Sequence, residues 1–212
     1  MIKLPEILAG YLKDRLDLSR EQEEAALYAL QVFYFTGLAF AGAALAGWVL
    51  GCLAATVIIG LTIFALRCFS GGAHSKTPLG CVLSTVFLVP LTGRLVSFVA
   101  PLLEGSTLVF LAAAGFVACT VAVWLYAPVD TPAKPVPPER KRRFKYLSVL
   151  AVIFIFTLQG ALILTGPQQP WAHSAVLALQ AGTYWQVFSL TGGGHRFFAL
   201  FDGFNFKLKE GG

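Results

Sequence analysis

Residues 34–66 read "YFTGLAFAGAALAGWVLGCLAATVIIGLTIFAL" and contain no charged side chain. Because each residue adds 1.5 Å along an α-helix, one helix through this stretch would be about 50 Å long, whereas the hydrocarbon core of a bilayer is about 30 Å thick. Two short spans fit that thickness better, and Gly47 and Gly51 indicate a turn between them. The stretch therefore predicts two membrane-spanning helices within 34–66.

The composition of the whole chain favours the same environment. Of its 212 residues, 57% are hydrophobic and 13% are charged, and the mean hydropathy is +0.72. A soluble domain carries about a quarter charged residues, so this deficit indicates that most of the surface does not face water. We therefore predict an all-α polytopic bundle in the cell membrane, with residues 1–212 forming a single integral membrane domain.

The charges are distributed as in a membrane protein. Lys and Arg number 16, Asp and Glu number 11, and the net charge is +5. Because the basic residues cluster beside apolar spans, they favour cytoplasmic loops, and we expect the lipid bilayer but no nucleic acid as a partner. The four cysteines have no CxxC or metal-ligand spacing, so neither a metal site nor a cofactor is predicted.

The remaining segments follow from apolar stretches and the breaks between them. Four further spans are expected within 79–192, at about 79–100, 106–127, 145–165 and 172–192, which brings the total to about six. Residues 4–18 carry apolar side chains at helical spacing, which predicts an amphipathic helix on the membrane surface. Ser19 and Gln22 form a capping-box pattern that begins the next helix. The Phe-rich tail, 193–212, fits either a second interfacial helix or a short apolar stretch packed on the bundle.

The basic residues also orient the spans. Residues 137–145, "PPERKRRFK", form the most basic segment of the chain, which we expect in the cytoplasm. Counting spans from this segment places the break at 67–78 and both termini in the cytoplasm as well. The same count places the turns at 101–105 and 166–171 outside the cell.

The break between the second and third spans concentrates reactive side chains. It reads "RCFSGGAHSKTPLGC" over residues 67–81, and we interpret 67–78 as a catalytic loop. Thr77 followed by Pro78 is typical of a helix start, which places Cys81 in the first turn, where the helix dipole favours a thiolate. On one straight helix, His74 and Cys81 would stand about 10 Å apart. The loop must therefore fold back to bring imidazole and sulfur together as a Cys–His pair for acyl chemistry.

Other interpretations stay open. Gly71 and Gly72 also suit a tight cytoplasmic turn whose Ser and Lys side chains are simply solvated. A small membrane transporter and a non-catalytic membrane partner of a sensor protein are alternative functions. Against transport, no span has a central ionisable residue, Arg94 and Gln159 being the nearest candidates, and the chain has no GxxxxGK[ST] motif.

Two segments of the chain resemble a known family. Arg67, "GGAH" at 71–74 and Cys81 precede an apolar span, and "YAPVDTPAKPVP" at 126–137 follows the fourth span. Both resemble motifs of the accessory gene regulator B family, membrane-embedded cysteine peptidases of Gram-positive bacteria, in which the second motif reads "aPxDTxxKP". By this resemblance, which covers about residues 5–165, Cys81 is the nucleophile and His74 is the general base. The residues that match the motifs without an assigned chemical step are Arg67, Gly71, Gly72, Asp130, Thr131, Lys134 and Pro135.

The resemblance also implies a substrate class. The family processes a short quorum-sensing propeptide at the inner face of the membrane: the thiolate cleaves off an acidic C-terminal tail, and the acyl-enzyme passes to a side chain of the peptide to give a thiolactone or lactone ring. Lys134 and the basic residues at 140–143 would attract the acidic tail, or they only satisfy the positive-inside rule. The partners implied are the propeptide and the bilayer, and homo-oligomerisation is left open.

Overall fold

The computed structural model describes residues 4–73, 75, 77–129, 137–166 and 169–209, with only the backbone at 170 and 201–209. Within these ranges the chain forms eight α-helices and one short 3-10 turn, Ala100–Leu102. The helices are α1 Leu4–Leu16, α2 Arg20–Val49, α3 Leu53–Ser70, α4 Pro78–Val99, α5 Gly105–Tyr126, α6 Pro138–Thr165, α7 Pro170–Leu190 and α8 Gly192–Lys209. The prediction of an all-α membrane bundle is confirmed.

The first two helices meet at the predicted capping box. The backbone N–H of Gln22 donates to Ser19 Oγ at 3.3 Å, and the backbone N–H of Ser19 donates to Gln22 Oε1 at 2.9 Å. These bonds satisfy two amides that would otherwise lack partners at the start of α2. An ion pair of 2.6 Å between Lys13 and Glu23 ties α1 to α2. Because α1 leaves Leu8 and Leu16 among its exposed side chains, it retains an apolar surface.

The uncharged stretch 34–66 is divided between α2 and α3. The turn covers 50–52, where the backbone N–H of Leu50 donates to the Ala46 carbonyl at 2.9 Å and that of Cys52 donates to the Gly47 carbonyl at 2.7 Å. The helix α2 is 30 residues long because it begins at Arg20, well before its apolar part. The helix is therefore longer than the bilayer core requires, and the excess length is its charged first turns.

The helix α7 is the centre of the bundle. Among the residues described, five helices, α2 to α6, are long and apolar enough to cross a membrane. The helix α7 is 21 residues long and contacts α3, α4, α5 and α6. It buries Gln180, Thr183 and Gln186, which neighbouring helices shield from lipid. The sixth predicted span thus corresponds to α7, a central helix that is not among these five.

Two predicted boundaries are wrong, and the tail has a defined form. The break does not begin at 67, because α3 continues to Ser70 and ends only where Gly71 takes a φ of +67°. The segment 137–145 is not a loop, because Pro138 starts α6 and the basic residues form its first turns. Most of the tail forms α8, and Phe197 packs against the Trp185 ring at a centroid distance of 6.0 Å.

The ends of α3 and α7 and the segment after α5 lie at the same end of the bundle. The end of α3 touches the end of α7, where Gln186 Nε2 lies 2.9 Å from Ser70 Oγ. The segment after α5 reaches the same place, because Val129 donates its N–H to the Ser70 carbonyl at 2.9 Å. We call this the loop end of the bundle. The turns at 50–52 and 100–104, together with residues 166 and 169, lie at the opposite end.

Candidate active site

The two residues that follow α3, Gly71 and Gly72, must be glycines. Gly71 has φ +67° and Gly72 has φ +135°, conformations that L side chains rarely adopt. A Cβ on Gly72 would lie 2.5 Å from Ser189 Oγ, and one on Gly71 would overlap the Val129 carbonyl oxygen. Both glycines are therefore required by backbone conformation and by the close approach of their neighbours.

The second motif touches the first. Gly71 and Val129 form an isolated parallel bridge, and Val129 immediately precedes Asp130. The two segments are 58 residues apart in the chain, yet they lie side by side at the loop end. The predicted site residues His74, Asp130, Thr131, Lys134 and Pro135 lie outside the described residues. The structure thus brings Gly71 of the first motif next to Val129 of the second.

The end of α7 supplies a third side of the site. Gln186 Nε2 donates to Ser70 Oγ at 2.9 Å and to the Gly71 carbonyl at 2.6 Å. One turn later, the Ser189 carbonyl accepts the backbone N–H of Ala73 at 2.9 Å. Neither Gln186 nor Ser189 was predicted as a site residue. The available signal was the presence of Gln180 and Gln186 in a predicted span, since a buried amide must find hydrogen-bond partners.

Arg67 interacts with both the loop after α3 and Cys81. It lies in the last turn of α3, and its guanidinium Nη2 donates to the Ala73 carbonyl. The same guanidinium interacts electrostatically with Cys81. Its Nε is buried and has no hydrogen-bond partner among the residues that the structure describes. Arg67 therefore links the last turn of α3 both to the backbone before residue 74 and to the start of α4.

Cys81 lies in the first turns of α4, as predicted. Thr77 Oγ1 accepts the backbone N–H of Gly80 at 3.1 Å, and Pro78 follows as the first helical residue, so the predicted helix start is confirmed. The N–H of Cys81 donates to the Thr77 carbonyl at 3.3 Å. Cys81 is half-buried and is not in a disulfide, whereas Cys68 is exposed on α3. The other two cysteines are buried, Cys52 in the turn before α3 and Cys119 within α5. Cys81 therefore lies at the start of a helix, whereas Cys68 lies in the last turn of one.

Exposed basic side chains surround the start of α6. The first turns of α6 expose Arg140, Lys141, Arg142 and Arg143. Lys145 lies over the Trp124 ring at 5.4 Å, which fixes this positive surface against the end of α5. The surface is suited to attracting an anionic group. Within the described ranges, no three His, Cys, Asp or Glu side chains lie together as metal ligands would.

The comparisons with known proteins agree in one family. The model of the family described as accessory gene regulator B matches residues 6–190. An AgrB-like protein of Clostridium perfringens SM101 is 25% identical over 97% of this chain and 98% of its own length. An AgrB-like protein of Listeria monocytogenes serotype 4b is 30% identical over 89% of this chain and 87% of its own. Accessory gene regulator protein B of Staphylococcus saprophyticus is 34% identical over 54% of this chain and 56% of its own. No solved structure matches the chain.

Proposed function

This chain belongs to the accessory gene regulator B family, and from that premise we propose that it is a membrane cysteine endopeptidase. Its substrate is a short signalling propeptide, from which it removes the C-terminal tail before the peptide closes into a ring. The observation that carries the proposal is the position of Cys81. Its thiol is half-buried and interacts electrostatically with Arg67 at the loop end, where segments from α3, α5 and α7 meet.

The reaction would proceed in two acyl transfers. His74 removes the thiol proton of Cys81, and the sulfur attacks the carbonyl carbon of a peptide bond near the propeptide's C-terminus. An S–C bond forms, the C–N bond breaks, and the amine of the departing tail takes the proton from His74. A thiol or hydroxyl of the peptide then attacks the resulting thioester while His74 accepts its proton. This step expels the Cys81 thiolate and closes a thiolactone or lactone ring.

Arg67 has two contacts that support this chemistry. Its charge next to the sulfur favours the thiolate before attack and again when the thiolate leaves. Its hydrogen bond to the Ala73 carbonyl ties the residue before His74 to α3. In this proposal Arg67 therefore serves both the electrostatics of the nucleophile and the position of the loop that carries the base.

The second motif and the start of α6 would bind the acidic tail. Val129, the residue before Asp130, lies beside Gly71. Lys134 and the exposed residues at 140–143 would attract carboxylates of the tail. The same excess of Lys and Arg favours the cytoplasm for the loop end and for both termini. The chain is then one multi-pass membrane domain, with the turns at 100–104 and 166–169 outside.

The test is co-expression with a candidate propeptide. The peptide to choose has an amphipathic leader, a Cys or Ser core and an acidic tail, and its gene lies beside the gene for this chain. Wild type and Cys68→Ala should cleave it, and Cys81→Ala should not. Cys68 is the matched control because it is the exposed cysteine near the same end of α3. Cleavage by Cys81→Ala at matched expression would sink the proposal. That result would favour the alternative functions, a small membrane transporter or a non-catalytic membrane partner of a sensor protein.

A further inference from the structure

Burying the Gln186 amide has a desolvation free-energy cost, which its hydrogen bonds must offset. Its side chain is 1% exposed, and an amide away from water is unfavourable unless it is hydrogen-bonded. Its Nε2 donates to Ser70 Oγ and to the Gly71 carbonyl. Because a carbonyl oxygen can only accept, the second bond fixes which end of the amide faces the loop. The partners are 116 and 115 residues away in the chain, so the amide joins distant segments.

A second tether follows one turn later on α7. The Ser189 carbonyl accepts the backbone N–H of Ala73 at 2.9 Å. The two tethers together hold Gly71 to Ala73 against the end of α7, and the next residue in the chain is His74. A catalytic group reacts efficiently only when it is held close to its attack geometry. The position of α7 therefore bears directly on the position of the proposed base.

We propose that Gln186 is a positioning residue of the active site, which holds on α7 the 71–73 segment that leads into His74. The inference rests on the proposed function, in which His74 is the base. Gln186 acts through the loop and does not touch the reacting atoms. Loss of its amide should therefore lower the rate of the chemical step and leave propeptide binding intact.

The chain offers a matched control on the same helix. Gln180 also lies on α7 and is 3% exposed. Its Nε2 donates to the Leu111 carbonyl at 2.7 Å and to Tyr184 Oη at 2.6 Å. These partners lie on α5 and α7, away from both motifs. Gln180 is about 9 Å from Gln186 along the helix axis, so its loss should weaken packing without releasing the loop.

The first measurement compares Gln186→Met with Gln180→Met. Methionine keeps a similar shape and removes the hydrogen bonds. Gln186→Met should lower kcat for propeptide cleavage by about 10²-fold, the effect of a displacement of about 1 Å, with KM unchanged. Gln180→Met should cleave at the wild-type rate per molecule. Cleavage by Gln186→Met at the wild-type rate would overturn the proposal.

The second measurement needs no substrate. Ser75 is 9% exposed, so a thiol introduced by Ser75→Cys should react slowly with a soluble maleimide. Adding Gln186→Met should speed this labelling severalfold, and adding Gln180→Met should not. If wild type cleaves no propeptide, the proposed function fails, yet the labelling still decides whether Gln186 holds the loop. Unchanged labelling in Ser75→Cys with Gln186→Met would overturn the positioning role.

Discussion

Gly71 and Val129 form a parallel backbone bridge although 58 residues separate them in the chain. The bridge joins the residue that ends α3 to the residue that leads into the second motif. The N–H of Val129 donates to the Ser70 carbonyl at 2.9 Å, so the contact satisfies a carbonyl at the end of a helix. Two motifs that look independent in the sequence therefore share one structural element, and a change in one should affect the other.

Replacing Gly72 with Ala should abolish most propeptide cleavage. The added Cβ would lie 2.5 Å from Ser189 Oγ, and the φ of +135° is strained for any L side chain. Strain of this kind costs on the order of 1–3 kcal/mol, which the loop can relieve only by leaving α7. The measurement is cleavage on a gel at matched protein amounts. Gly105→Ala is the control, because nothing lies within 4 Å of its added Cβ. Equal cleavage by the two variants would contradict the assigned role of Gly72.

Local signals in the sequence predicted local structure. The capping box at Ser19 and the helix start at Thr77 were predictable because a cap depends on residues three positions apart. The contacts of Gln186 were not predictable, because its partners are more than 100 residues away and leave no periodic pattern. Arg67 was placed in a loop for a local reason, because its charge was taken as the end of the apolar stretch. Its helical position depends on where Gly71 ends α3, and the chain has no Pro or Gly between 61 and 70 to mark an earlier end.

Removing the charge of Arg67 should slow the reaction of Cys81 with iodoacetamide. The guanidinium interacts with the sulfur, so Arg67→Met removes a charge that favours the thiolate. We expect a slower reaction of Cys81 at neutral pH. The reaction is followed by mass spectrometry of the Cys81 peptide. The Cys68 peptide of the same sample serves as the internal control, because Cys68 is exposed on α3. An unchanged ratio of the two rates would show that Arg67 does not activate Cys81.

Reporter fusions should place Gly105 and Lys141 on opposite sides of the membrane. Gly105 starts α5 and Lys141 lies in the first turns of α6, at the other end of the bundle. The excess of basic residues around Lys141 favours the cytoplasm. A phosphatase fusion should therefore be active after Gly105 and inactive after Lys141, and a cytoplasmic reporter should give the reverse. Reporters that place both sites on one side would rule out the proposed topology.

Substitutions of His74 distinguish two roles for this residue, a catalytic base and a side chain that only makes a hydrogen bond within the turn. His74→Ala should abolish cleavage while membrane insertion and propeptide binding remain. His74→Gln should not restore activity, because an amide can hold a hydrogen bond but cannot accept the thiol proton at neutral pH. Loss of a general base costs about 10²–10⁴-fold in rate.

The alternative gives a different result for His74→Gln. If His74 only makes a hydrogen bond within the turn, Gln should recover most of the activity, since one such bond is worth about 1 kcal/mol. The assay compares propeptide cleavage by wild type, His74→Ala, His74→Gln and Cys81→Ala at matched expression. Near-normal cleavage by His74→Gln would remove His74 from the catalytic assignment. Cys81 would then need another base, and the tethers from Gln186 and Ser189 would have to serve a residue other than His74.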